Sequence, residues 1–197
     1  MFNNDLILAR SFKNEFETIY KVSDYEKYLK QEDIVKKKSI ADLIYHRLHG
    51  RYLKVFTFDN SEFTKKHKSG FSIMANCCLL IETLISFQNG WPTTENKSAE
   101  AFKLFFTQNE NFKIKESDNF YKNIRCGILH QGETYGGWMV VREGKYKEGK
   151  KINANEFLKK VDKSLMSHKE KLVKSDWDSE IWNNCRVKMR SIIKNCS

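Results

Sequence analysis

The stretch from Phe71 to Gln88 constrains this chain more than any other. It is the most apolar segment of the sequence. Wound as a helix, it brings Ser72, Asn76, Thr83 and Ser86 within about 40° of a common line and leaves most of the circumference apolar. Such a helix has to be surrounded by other elements, so it is expected at the centre of a helical fold. Glu82 stands about 80° off the polar line, at the border of the buried face, where an ionised carboxylate is costly unless something pairs with it. Asn76, Glu82, Thr83 and Ser86 also interrupt the run of about 20 mostly apolar residues that a bilayer span requires. No membrane is expected as a partner.

The rest of the chain can supply the surroundings. Its 197 residues are 40% apolar and 13% aromatic, and Pro92 is the only proline beside nine glycines. That composition excludes collagen, a proline-rich linker and intrinsic disorder. No stretch is rich in Pro, Gly and Ser, so residues 1–197 are read as one domain. Met1 to Asp5 carry no basic residue ahead of the short Leu6 to Ala9 apolar patch, and a secretory signal is not expected. The five cysteines, Cys77, Cys78, Cys126, Cys185 and Cys196, form no C-x-x-C pair, which reads as free thiols in the reducing cytoplasm.

Local patterns predict a mostly helical order. Ser23-Asp24-Tyr25-Glu26 has the form of a capping box and opens one or two amphipathic helices, with Gly50 as the expected break. Residues 59–70, including Lys65-Lys66-His67-Lys68, read as a loop or a frayed helix end. Asn89-Gly90-Trp91-Pro92 closes the central helix, and Ser98 reopens one carrying Phe102, Phe105 and Phe106. Ser117-Asp118 caps a helix over about 118–131, with Gly132 as its left-handed terminator. Residues 138–142 and 146–152, flanking Gly144-Lys145, predict a small β-hairpin with a glycine-first turn. Helices over about 155–174 and 178–194 complete the chain.

Charge is the first pointer to function. The net charge is +10, and residues 145–197 hold 14 Lys or Arg against 7 Asp or Glu. A basic excess of this size attracts polyanions through counterion release, whatever their sequence. Lys122, Lys147, Lys150 and Lys151 are the candidate phosphate contacts.

The 118–131 helix carries the chemistry. At about 100° per residue, Arg125 and His130 diverge by about 140°, so both face a substrate only across a groove, such as a symmetric dimer of this helix would form. Asn123 lies within about 20° of His130 on the circumference. Gly127 removes bulk where a second backbone would approach, with Ile124 and Ile128 as anchors on either side. Tyr121, one turn before Arg125, is placed to stack on the guanidinium. At the helix end the dipole favours an imidazolium at His130, which suits a proton-transfer group.

Arg125-x-x-x-x-His130, late in a helix and preceded by Tyr121, resembles the R-x(4–6)-H signature of the HEPN superfamily, all-α proteins that include many metal-independent endoribonucleases of toxin–antitoxin, phage-defence and CRISPR systems. The resemblance covers about Phe120 to Trp138 and extends more weakly to Phe71, since family members pack an apolar helix bearing a polar or acidic residue beside the motif, a place Glu82 fits. It implies an all-α HEPN-like bundle with a hairpin insertion, acting as a homodimer on RNA, with no metal or cofactor and with an antitoxin or activating protein as a further partner. Arg125 and His130 would be catalytic, and Asn123, Glu82 and Tyr121 supporting. Many active members have Asn, His or Asp directly after the arginine, where this chain has Cys126. That residue favours the alternative, a non-catalytic HEPN-like module binding nucleic acid or nucleotide. Family toxins silenced by tyrosine adenylylation carry the tyrosine where this chain has Gly132. A basic DNA-binding regulator is a third class, but no helix-turn-helix spacing stands out. His46-x-x-His49 has no third metal ligand in view, and His67 and His168, in lysine-rich surroundings, are expected to face water.

Overall fold

The computed structural model describes residues 6–13, 16–56, 69–112, 114 and 117–195. The described chain is mainly helical and carries two small sheets. It falls into two compact units, one formed by Met1–Arg51, Ser86–Thr93 and Leu165–Ser197 and the other by Tyr52–Ile85 and Thr94–Ser164. The 59–68 part of the loop reading, His67 and Cys196 lie outside the described residues.

The first unit opens with an antiparallel pair that the all-α expectation did not include, β1 (Ile7–Lys13) and β2 (Phe16–Lys21). α1 (Val22–Leu29) follows directly. It starts one residue before the expected cap, because Asp24 Oδ2 accepts the Lys21 backbone N–H at 2.8 Å and Ser23 is already helical. α2 (Asp33–Tyr52) runs straight through Gly50, the expected break. One glycine lowers helix propensity by only about 1 kcal/mol, less than the burial of Ile40, Leu43, Ile44 and Leu48 on the same helix provides.

The core of this unit corrects the reading of His168. It is 2% exposed, not in water, with Nε2 at 3.8 Å from the Cys185 thiol. Burial, with a smaller contribution from Lys171, pulls its pKa down to about 4. Beside it Trp182 is fully buried and donates its indole N–H to Leu172 O at 2.9 Å. His46 and His49 take part in ring contacts, His46 stacked on Tyr20 and His49 on Tyr45.

The apolar stretch forms α3 (Gly70–Asn89) as expected. Its length and hydropathy would suffice to cross a bilayer, but two thirds of that window is buried inside the protein. Ser86, placed on the polar line from the sequence, is fully buried. Gly90 (φ +64) ends the helix, as the turn chemistry requires.

The second unit is organised by rings. α4 (Ser98–Gln108) brings Phe102, Phe105 and Phe106 inward, where they meet Phe112 and Phe120 at centroid distances of 5.0–5.8 Å, and Phe157 closes the cluster on Phe112 and Phe120 at 5.4 and 5.5 Å. Each such pair contributes about 0.5–1.5 kcal/mol beyond area burial. Phe120 thereby anchors the start of the motif helix. That helix is not uniform. α5 (Ser117–Phe120) passes into a π turn over Tyr121–Cys126 and then α6 (Gly127–Gln131).

A three-stranded sheet follows, in the order β3 (Met139–Val141), β5 (Lys151–Asn153), β4 (Lys147–Glu148). The expected hairpin across Gly144-Lys145 is not formed, since β3 runs parallel to β5. The hairpin joins β4 to β5 through Gly149-Lys150, with Gly149 at φ +55. A glycine-first turn is present, five residues later than its sequence assignment. α7 (Ala154–Lys174) and α8 (Glu180–Asn195) complete the fold close to the expected bounds.

Candidate functional site

Glu82, Tyr121, Arg125 and His130 meet in the second unit. Arg125 Nε donates to Glu82 Oε1 at 2.8 Å, with the two side chains 13% and 8% exposed. Glu82 Oε2 accepts from Ser98 Oγ at 3.0 Å and Thr94 Oγ1 at 3.3 Å. The costly carboxylate predicted for α3 is therefore paired and solvated by protein hydroxyls. Burial alone would lower the pKa of Arg125, but its hydrogen bond and charge contact with Glu82 outweigh that and hold it above the usual arginine value. The guanidinium also lies 5.4 Å from the Tyr121 ring centroid, the stacking expected from the sequence.

Arg125 and His130 meet within one protomer, Nη1 to Nε2 at 3.2 Å. The divergence of about 140° compares directions at the helix surface, and the π winding of Tyr121–Cys126 ends before the α-helical Gly127–Gln131 turn that carries His130. The length of the arginine side chain closes the gap. The geometric argument for a composite dimer site is thereby removed.

The other supports of that argument also belong to the chain's own fold. A Cβ at Gly127 would lie 2.4 Å from Glu133 O, so the missing side chain makes room for the chain itself. Gly132 (φ +70) and Glu133 donate to Ile128 O and Gly127 O at 3.1 and 3.3 Å, closing the helix end. Ile124 and Ile128 are buried.

Asn123 serves the same turn. Its side-chain amide donates to Asn119 O and Oδ1 at 3.0 and 2.7 Å, and its backbone carbonyl accepts the Tyr135 N–H at 2.9 Å. Trp138 Nε1 donates to Asn119 Oδ1 at 3.2 Å. Asn123 therefore holds the segment that leaves His130, while His130 itself is exposed.

Cys126 is half-buried beside Tyr121 and Arg125. Burial, and next the neighbouring thiol, raise the Tyr121 pKa. Cys78, fully buried behind the site, is raised well above the usual thiol value by burial.

The basic candidates separate by position. Lys122 and Lys151 are exposed. Lys147 Nζ stands 5.7 Å from the Trp138 ring, and Lys150 Nζ donates to Gly136 O at 2.7 Å. The β4–β5 hairpin is thus tied to the segment that follows His130. Thr94 and Ser98 are site residues that sequence reasoning does not find, since Ser98 reads as a helix start and nothing in the sequence spacing relates either hydroxyl to Glu82.

Among the described residues, no group of three His, Cys, Asp or Glu is close enough to hold a metal ion. Comparison of the chain with protein-family models, curated proteins and solved structures gives no match.

Proposed function

We propose that this protein is a HEPN-like endoribonuclease of the toxin or phage-defence kind, cleaving RNA by intramolecular transesterification without a metal. The observation that carries the reading is the contact of Arg125 with His130 at 3.2 Å beside an exposed surface. RNA brings its own nucleophile, so cleavage needs a base, an acid and a cation on the phosphate. His130 takes the 2′-OH proton as that oxygen attacks phosphorus, and the P–O5′ bond breaks. The departing 5′-oxygen takes a proton from water and the proton held by His130 returns to solvent, leaving a 2′,3′-cyclic phosphate and a 5′-hydroxyl. Arg125 has Nε on Glu82 and Nη1 on His130, which leaves Nη2 for a phosphate oxygen. A π turn at this position adds support, because such turns occur frequently at functional sites.

The test is an RNA bearing a single 2′-deoxy nucleotide at a mapped cut. Cleavage there should stop while other cuts continue, and undiminished cleavage at that position would refute the mechanism.

One observation favours a second reading, a non-catalytic HEPN-like module that binds nucleic acid. Arg125 is largely buried and already neutralised by Glu82, which suits an arginine that holds structure while His130 and the neighbouring lysines contact a ligand. Binding of RNA without cleavage would select it.

A further inference from the structure

We infer that Thr94 and Ser98 are positioning residues that act through Glu82 and Arg125 to hold His130 in its Nδ1–H tautomer. The role assigned to His130 in catalysis rests on the ribonuclease reading, while the tautomer rests on hydrogen bonding alone.

A guanidinium has five N–H donors and no acceptor. In the Arg125 Nη1 to His130 Nε2 contact at 3.2 Å, His130 must therefore be the acceptor. In this contact the Nε2 lone pair faces Arg125 and the ring proton sits on Nδ1, in place of the imidazolium expected from the helix end. A histidine free in water prefers the opposite tautomer, so the contact selects the less common form.

What aims Arg125 is the carboxylate behind it. Each oxygen of Glu82 has its own partners, Arg125 Nε on Oε1 at 2.8 Å and the hydroxyls of Ser98 and Thr94 on Oε2 at 3.0 and 3.3 Å. Occupying both oxygens from different sides fixes the carboxylate plane, and with it the plane of the guanidinium. Ser98 Oγ is also within 3.4 Å of Thr94 O, which ties the two hydroxyls to one turn ahead of α4. Without the hydroxyls, Glu82 can rotate and turn both oxygens to Arg125 as a bidentate pair, withdrawing Nη1 from His130.

The arrangement has a chemical use. The contact keeps Nε2 unprotonated until substrate arrives, when a phosphate oxygen that draws the Arg125 N–H to itself frees the Nε2 lone pair for the 2′-OH proton. Thr94 and Ser98 do not touch the reacting atoms in this scheme.

The experiment is a long-range proton–nitrogen NMR correlation of histidine rings in the full-length 15N-labelled chain at pH 8, with His130 assigned by His130→Gln. In the wild type, His130 should show a protonated Nδ1 and a bare Nε2. The Thr94→Val/Ser98→Ala variant should shift it to the Nε2–H form, and Ser98→Thr, which keeps the hydroxyl, should restore the wild-type pattern when combined with native Thr94. On RNA, kcat of the double variant should fall about tenfold or more with KM nearly unchanged.

A wild-type His130 in the Nε2–H form overturns the inference without any variant. So does a folded double variant with an unaltered tautomer. If the wild type cleaves no RNA but the tautomer changes as described, the positioning role stands and the ribonuclease reading alone fails.

Discussion

Replacing Arg125 by alanine should destabilise the protein as well as silence it. The Glu82 side chain is 8% exposed, and its charged partner is the Arg125 Nε–H at 2.8 Å. Removing one member of a buried ion pair costs about 3–5 kcal/mol, because the remaining charge is left uncompensated. The Ser98 and Thr94 hydroxyls still solvate Oε2, which argues for the lower end, about 3 kcal/mol. For a chain of this size that corresponds to a drop in Tm of about 6–12 °C. Adding Glu82→Gln removes the orphaned charge and should recover about 2 kcal/mol of the loss. Differential scanning calorimetry of wild type, Arg125→Ala and the double variant in one buffer measures all three. An Arg125→Ala protein that melts within a degree or two of wild type, or a double variant no more stable than the single, would refute the pairing argument. The double variant is also the proper control for activity, since its loss of cleavage cannot be ascribed to unfolding.

Three further outcomes follow from the geometry. His168 is neutral when folded, with a pKa pulled from 6.5 to about 4, so the unfolded chain binds the extra proton as pH falls. Its contribution is complete above about pH 6.5 and is lost as pH drops toward 4, about 3 kcal/mol in all. Urea unfolding of His168→Leu should then show a flatter pH dependence over that window than wild type, and equal slopes would contradict the assignment. Gly127→Ala sets a Cβ 2.4 Å from Glu133 O, whereas a Cβ at Gly132 meets nothing within 4 Å. The first substitution should cost about 2 kcal/mol and the second about 1 kcal/mol for its left-handed backbone, an order that chemical denaturation reports directly. Neutralising Lys147, Lys150 and Lys151 together should weaken RNA binding regardless of sequence and reduce its salt slope by up to about three. An unchanged slope in a filter-binding titration would make the charge merely solubilising.

Much of the helical frame was legible because it rests on periodicity and turn chemistry. The central helix, the Asn89-Gly90 stop and the Gly132 terminator all follow from local rules that the structure obeys. Glu82 was legible for a related reason, since a carboxylate on an apolar helix demands a partner. What sequence could not show was how far Arg125 reaches. Angular divergence places Cβ directions and not the end of a long side chain, and the guanidinium meets His130 within one protomer, so a second copy of the chain is a proposal that the family resemblance alone supports. The π winding of Tyr121–Cys126 is likewise announced by no residue in that stretch. The strand pairings were misread because Gly144 and Gly149 are both acceptable turn residues, and only long-range pairing decides between them. His168 looked exposed among lysines, but α7 is amphipathic, and Leu165 and Leu172 on either side belong to its buried face.

The central claim is that Arg125 and His130 cleave RNA through its own 2′-hydroxyl. The most direct measurement is mass spectrometry of the fragments formed when the purified chain is incubated with a defined single-stranded RNA in EDTA, with His130→Ala run in parallel. His130 is exposed and its removal should leave stability within about 0.5 kcal/mol, so the comparison isolates chemistry. The account predicts fragments ending in 2′,3′-cyclic phosphate and beginning with 5′-hydroxyl in the wild-type reaction, and intact RNA with the variant. Fragments with 3′-hydroxyl ends, cleavage that disappears in EDTA, or equal cleavage by His130→Ala would contradict it.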